Sequence, residues 1–206
     1  LASFAVLLVR DDYTGKVVNE IPCESPPRAV RLREFGVVVV ERDRVRVIDW
    51  ATLRPLHTFA TTENPRCVVD ATQDAVAMLG PPDLAPDTTG ALVRVEHGFG
   101  KDSKRSTVMF TAHNQRIRAM ALNSDGSVLA TASEKGTLIR VWDTRQPSGK
   151  LLAEVRRGAD PATVFSLAWN ADSSLLACTS DHGTVHVFGL ARSTAALNMK
   201  SSLQSV

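Results

Sequence analysis

Hydrophobic positions in this chain come in short runs of about five residues, rich in Val, Ile and Leu, and separated by turn residues. Helical periodicity is nearly absent, so the pattern predicts an all-β fold. The expected strands are Lys16 to Ile21, Arg28 to Leu32, Gly36 to Val40, Arg44 to Asp49 and Leu56 to Ala60. They are followed by Cys67 to Asp70, Ala75 to Leu79, Ala91 to Glu96 and Ser106 to Thr111. Gly80 to Gly90, rich in Pro, Asp and Thr, is the best loop candidate. The clearest unit then reads Ile117 to Leu122, Val128 to Ala132, Leu138 to Asp143 and Lys150 to Val155, with turns at Asn123-Ser124-Asp125-Gly126 and Glu134-Lys135-Gly136. The next repeats it with Val164 to Trp169, Leu175 to Thr179 and Val185 to Phe188. Matching positions such as Ile117 and Val164 lie about 47 residues apart. Four strands at that spacing suit a propeller blade, and one blade cannot bury its faces alone.

Composition narrows the function more than the fold. Of 206 residues, 44% are hydrophobic and 22% charged, enough for a core. The net charge of +2 argues against nucleic acid and against a polybasic membrane hold, so any anion binding must be local. The three cysteines, Cys23, Cys67 and Cys178, are far apart and read as reduced, buried thiols of a cytosolic protein. The longest apolar runs, Phe4 to Val9 and Val37 to Val40, fall well short of the roughly 20 residues needed to span a bilayer. No signal peptide is expected. Residues 1–190 are read as propeller blades, and 191–206 as a loose segment leading into a further blade.

Candidate chemistry centres on Arg156-Arg157, between the last two units. Neighbouring residues on a strand point to opposite sides, so the two arginines suit two anion pockets rather than one. Guanidinium forks match phosphate oxygens, and nearby Ser and Thr hydroxyls supply neutral hydrogen bonds. Paired arginines are also common surface residues. For any one hydroxyl, a ligand role and a place in the blade's internal hydrogen bonding stand about equal, and Asp181 and Trp142 are assigned to the internal set. Gly158 suits a turn after the arginines. His182 and His186, four residues apart on a strand, would sit roughly 13 Å apart, too far to share a zinc ion. No phosphate-cradling loop, Cys-x-x-Cys pair or nucleophile elbow is present, so a non-enzymatic protein without cofactors is expected.

Trp142-Asp143 is a WD dipeptide, and Ala112-His113 stands where such repeats carry Gly-His. ASEKGTLIRVWDT, VRRG and SDHGTVHVF, in this order, resemble the PROPPIN family of phosphoinositide-binding propellers of autophagy, called WIPI proteins in animals. The wording is most similar to the branch of the third and fourth human WIPI proteins. The resemblance is strong over Ala112 to Leu190 and weaker from Val9 to Thr111. It implies a seven-bladed WD-repeat β-propeller, of which this chain supplies between four and five blades. It also implies a first phosphoinositide pocket from Arg156, His113, Thr131 and Ser133. A second would use Arg157, Thr179, Ser180 and Thr184. The family motif begins with Phe or Leu where Val155 stands here, an apolar exchange at a packing position.

The implied function is a cytoplasmic monomer recruited peripherally to phagophore, autophagosome or endosomal membranes. It would bind phosphatidylinositol 3-phosphate or 3,5-bisphosphate and an autophagy lipid-transfer protein. The alternative is a WD-repeat scaffold that binds proteins only. Two junctions, Leu7 to Arg10 and Ser193 to Lys200, read as strands joined too abruptly and predict missing connections. The hydrophobic membrane-inserting loop of relatives has no counterpart in this sequence.

Overall fold

In the computed structural model, residues 5–84, 90–100 and 103–190 are described. They form five antiparallel sheets. β1 (Ala5–Arg10) and β2 (Val17–Cys23) make a two-stranded hairpin sheet. The first blade is β3 (Ala29–Arg33), β4 (Gly36–Val40), β5 (Arg44–Ile48) and β6 (Pro55–Ala60). The second is β7 (Val69–Ala71), β8 (Ala75–Leu79), β9 (Leu92–His97) and β10 (Ser106–Thr111). The third is β11 (Ile117–Leu122), β12 (Val128–Ser133), β13 (Leu138–Asp143) and β14 (Lys150–Arg156). The fourth contributes β15 (Val164–Trp169), β16 (Leu175–Ser180) and β17 (Val185–Gly189). One 3-10 turn, Pro82–Leu84, is the only helix among the described residues.

Each blade is a meander whose strands pair with their sequence neighbours. The first strands β7, β11 and β15 pack against one another in series, β3 meets β7, and the fourth strands lie at the periphery. That is the arrangement of a propeller around an axis. The second strands explain why it holds. Val37 and Val39 of β4 join the core shared with the hairpin, whereas Val38 and Val40 join the core shared with the second blade. On β8, Val76 and Met78 face the first blade, and Ala75, Ala77 and Leu79 face the third. A strand covered on both faces needs apolar residues at every position, which is why these runs show no alternation. Burying one such Val or Leu side chain contributes roughly 1.5–3 kcal/mol.

The first blade is built from the four runs that follow Pro22, and Lys16 to Ile21 lies beside it as β2, paired along β1. β1 is paired from Ala5↔Cys23 to Arg10↔Val17, with a register irregularity between Val9 and Arg10, inside the first suspect junction. The second suspect junction, Ser193 to Lys200, lies outside the described residues. The hairpin is tied to the first blade by Arg46, whose Nη1 donates to the Pro22 carbonyl and whose Nε stands 2.6 Å from Glu41 Oε1 within the blade. Cys23 and Cys178 are buried free thiols. Cys67 is half-buried and precedes β7 with a positive φ of 55°, so it lies in a turn and not in a strand.

Candidate functional site

Arg156 closes β14 opposite Leu138, and Arg157 continues the ladder by donating its backbone N–H to the Thr137 carbonyl. Alternation along β14 separates the pair. Ala153 and Val155 pack into the core shared with the fourth blade. On the other face, Glu154 pairs with Arg140, whose Nη1 donates to the Ala112 carbonyl at the second blade's end. Arg156 shares the Glu154 face and is exposed, and Arg157 turns toward the fourth blade and is buried. The two side chains therefore leave the outer strand on opposite faces of the third blade.

Arg157 is already engaged. Its Nε donates to the Gly136 carbonyl at 2.6 Å and its Nη2 to the Asp160 carbonyl at 2.5 Å. It thereby clamps the β12–β13 turn to the connection between blades. Gly136 is the glycine this clamp needs: its φ is 64°, and a Cβ there would meet the Ala162 carbonyl oxygen at 1.8 Å. Gly158 is not so constrained. It has open space around its Cα and no positive φ, so the expected need for glycine after the arginines moves to Gly136.

The residues expected with Arg156 form a closed set. His113 Nε2 lies 3.0 Å from Thr131 Oγ1 and 3.2 Å from the Thr131 carbonyl. Trp142 Nε1 donates to the same hydroxyl at 3.0 Å, and that hydroxyl in turn faces the Arg140 carbonyl. His113 and Thr131 are buried, and burial, then the Arg140 charge, lowers the imidazole pKa to about 4. Trp142 stands in the blade's internal bonding, as does Asp181, which accepts the Thr163 N–H at 3.0 Å. Ser133 is buried at the end of β12, where its carbonyl accepts the Gly136 N–H.

The residues expected with Arg157 are looser. Ser180 is buried, and its hydroxyl has no hydrogen-bond partner. Thr179 Oγ1 lies 3.2 Å from Ser166 Oγ, and exposed Thr184 places Oγ1 3.0 Å from His186 Nε2. Burial holds the Cys178 thiol up at about 11, opposed by the Arg157 charge, which also acts on His186. His186, for which the sequence suggested only a rejected metal role, is bonded to Thr184 and feels the Arg157 charge. Arg140 and Glu154 were missed too. Their signal was a charge interrupting the apolar β13 pattern and a partner opposite it on β14. Among the described residues no group of His, Cys, Asp and Glu could hold a metal ion. No helix there is long and apolar enough to cross a membrane.

Comparison with known proteins decides the family. The PROPPIN family model matches residues 61–205. The chain belongs to the PROPPIN family. SVP1-like protein 2 of Neurospora crassa is 38% identical over 187 residues, which cover 90% of this chain and 41% of the relative. SVP1-like protein 2 of Emericella nidulans is 37% identical, over 89% of this chain and 54% of its own length. This PROPPIN chain thus spans about half the length of the curated relatives it matches. Hsv2 of Kluyveromyces marxianus superposes with a TM-score of 0.75 at 25% identity, over 89% of this chain and 56% of that one. Atg21 in complex with the coiled coil of Atg16 gives 0.66 at 22% identity, over 90% of this chain and 59% of that one, a likeness of fold.

Proposed function

We propose that this PROPPIN chain is a non-enzymatic effector that docks on membranes bearing phosphatidylinositol 3-phosphate or 3,5-bisphosphate during autophagy. The observation that carries the reading is the split of Arg156 and Arg157 between two clefts at the outer strand β14. Two headgroups on one membrane could then be held at once, so modest affinities multiply. Exposed Arg156 meets a phosphate directly, with Ser133, Thr131 and His113 behind it on the same blade edge. Arg157 exchanges its two carbonyl acceptors for phosphate oxygens beside Thr179, Ser180 and Thr184. A phosphate dianion is the stronger acceptor, since charge-assisted bonds exceed neutral ones. The unpartnered Ser180 hydroxyl supports this second pocket. The chain acts from the cytoplasm, recruited peripherally to phagophore or endosomal membranes, and engages an autophagy lipid-transfer protein.

A second reading, a scaffold that binds only proteins, is favoured by the carbonyl bonds that occupy Arg157 and by the Atg16 coiled coil on Atg21. Liposome flotation separates the two. Vesicles carrying phosphatidylinositol 3-phosphate should float the wild-type chain and should not float Arg156→Thr/Arg157→Thr. Equal flotation of both would leave the scaffold reading standing.

A further inference from the structure

At the axis, far from the rim, is a cavity of about 280 Å³ between the inner strands of all four blades. Three guanidinium groups line it: Arg31 from β3, Arg66 from the turn before β7, and Arg118 from β11. One carboxylate, Asp70, lines it as well. Asp70 is occupied by backbone donors, with Oδ1 accepting the Ala71 N–H at 2.9 Å and Oδ2 the Leu122 N–H at 2.8 Å. Arg31 donates Nη1 only to the neighbouring Val30 carbonyl. Arg66 has a loose ion pair, Nη1 to Glu134 Oε1 at 3.6 Å. Among the described residues the buried Arg118 Nε has no hydrogen-bond partner. Burial, then the Arg66 charge, pulls the Arg118 pKa below its ordinary value.

Among the described residues, three arginines thus line one cavity with a single carboxylate, Asp70, beside them. Met120, Leu167 and the exposed Phe165 complete the wall, so the cavity opens to solvent on the side of the fourth blade. An unmade bond from a buried charged donor is among the costlier defects a fold carries. A bound anion would remove it.

We propose that the axial cavity binds a small, multiply charged phosphate anion of about pyrophosphate size. Guanidinium forks are matched to phosphate oxygens, and the Arg118 Nε has no acceptor among the described residues to give up. The cavity lies just under the roughly 300–1,000 Å³ of drug-sized pockets, too small for a folded peptide. The source is soluble rather than membrane-tethered. β11 lies three strands inward from β14, roughly 14 Å at ordinary strand spacing, so a headgroup in a bilayer docked at the rim does not reach it.

Isothermal titration of the full chain with pyrophosphate tests this, alongside Arg66→Gln, Arg118→Gln and the rim variant Arg156→Thr/Arg157→Thr. Flotation on phosphatidylinositol 3-phosphate vesicles is run in parallel. Saturable binding is expected in the wild type and the rim variant, weakened at least tenfold in both axial variants, while the axial variants float like wild type. Absence of saturable pyrophosphate binding in the wild type overturns the proposal. So does binding that disappears in the rim variant and survives in the axial ones, because the anion then sits at the rim. Loss of flotation in folded axial variants overturns the soluble source and assigns the cavity to a lipid headgroup. Should Arg118→Gln fail to fold, Arg66→Gln alone decides, since its side chain is 47% exposed and not part of the core. Failure of the rim variant to lose flotation would count against the membrane reading and leave this one untouched.

Discussion

The clefts on either side of β14 use the same residue types and put them to different ends. Toward the second blade, His113, Thr131 and Trp142 bond to one another and are buried, and the cation beside them, Arg156, is left exposed. Toward the fourth blade, the cation Arg157 is buried and bonded, and the hydroxyls around it are exposed or unpartnered. In one cleft the hydroxyl is structural and the arginine free. In the other the arginine is structural and a hydroxyl free. Residue type alone therefore does not say which member of a pocket awaits a ligand; what matters is which member has already found a partner.

The comparison breaks most decisively if the arginines turn out equivalent. Arg156→Thr/Arg157→Thr should abolish flotation on phosphatidylinositol 3-phosphate vesicles. The singles should differ in stability, read by urea denaturation. Arg157→Thr removes two charge-assisted bonds and should cost about 1.5–3 kcal/mol or more, whereas Arg156→Thr should be near neutral. Equal stability of the two singles would mean that the carbonyl clamp contributes nothing.

The closed cleft should also reveal itself through pH. The folded-state His113 pKa is about 4, below its unfolded value near 6.5, so the unfolded chain binds the proton more readily. Stability is then fully present above pH 6.5, falls as the pH drops from there toward 4, and levels off below. The loss amounts to about 3 kcal/mol. Denaturation at pH 7 and pH 4.5 should show it, and His113→Gln should flatten it. A wild type and variant with the same slope would show that His113 is not held neutral.

Smaller effects sharpen the contrast. Thr131→Val strands the Trp142 N–H, leaves the His113 ring nitrogen only the backbone carbonyl of residue 131, and should cost about 1–3 kcal/mol. Ser180→Ala removes a hydroxyl that has no partner and should leave stability unchanged or slightly raised, while weakening vesicle binding. If the two substitutions proved equally destabilising, the clefts would not differ as described. The smallest expected effect is that of salt. With a net charge of +2, vesicle binding should decline only gently as ionic strength rises, measured by flotation across a salt series.

Much of the third blade was legible before its structure. Asn123 to Gly126 and Glu134 to Gly136 punctuate strands whose ends fall within a residue of expectation, because turn chemistry is local. The opposite faces of Arg156 and Arg157 followed from strand pleating for the same reason. The hairpin pairing was not legible: β2 was expected as a strand, but nothing local in the sequence says that it pairs with β1. Nor was the axial cluster, since Arg31, Arg66 and Arg118 stand far apart in sequence and meet only where the inner strands converge.

VLATAS of β12 and LLACTS of β16 mark the boundary between the two kinds of information. The sequence by itself determined that both are second strands of a blade, since apolar runs between turns of this kind form strands wherever they occur. Only the tertiary structure decided their burial. β12 is enclosed on both faces, with Leu129 in one core and Ala130 and Ala132 in the next. β16 buries Leu176, Cys178 and Ser180 on one face, while Leu175 on the other stays exposed together with Val185 and Val187 of β17. Nearly the same six residues differ in burial because a strand's pattern states what it can cover, and its neighbours decide what is covered.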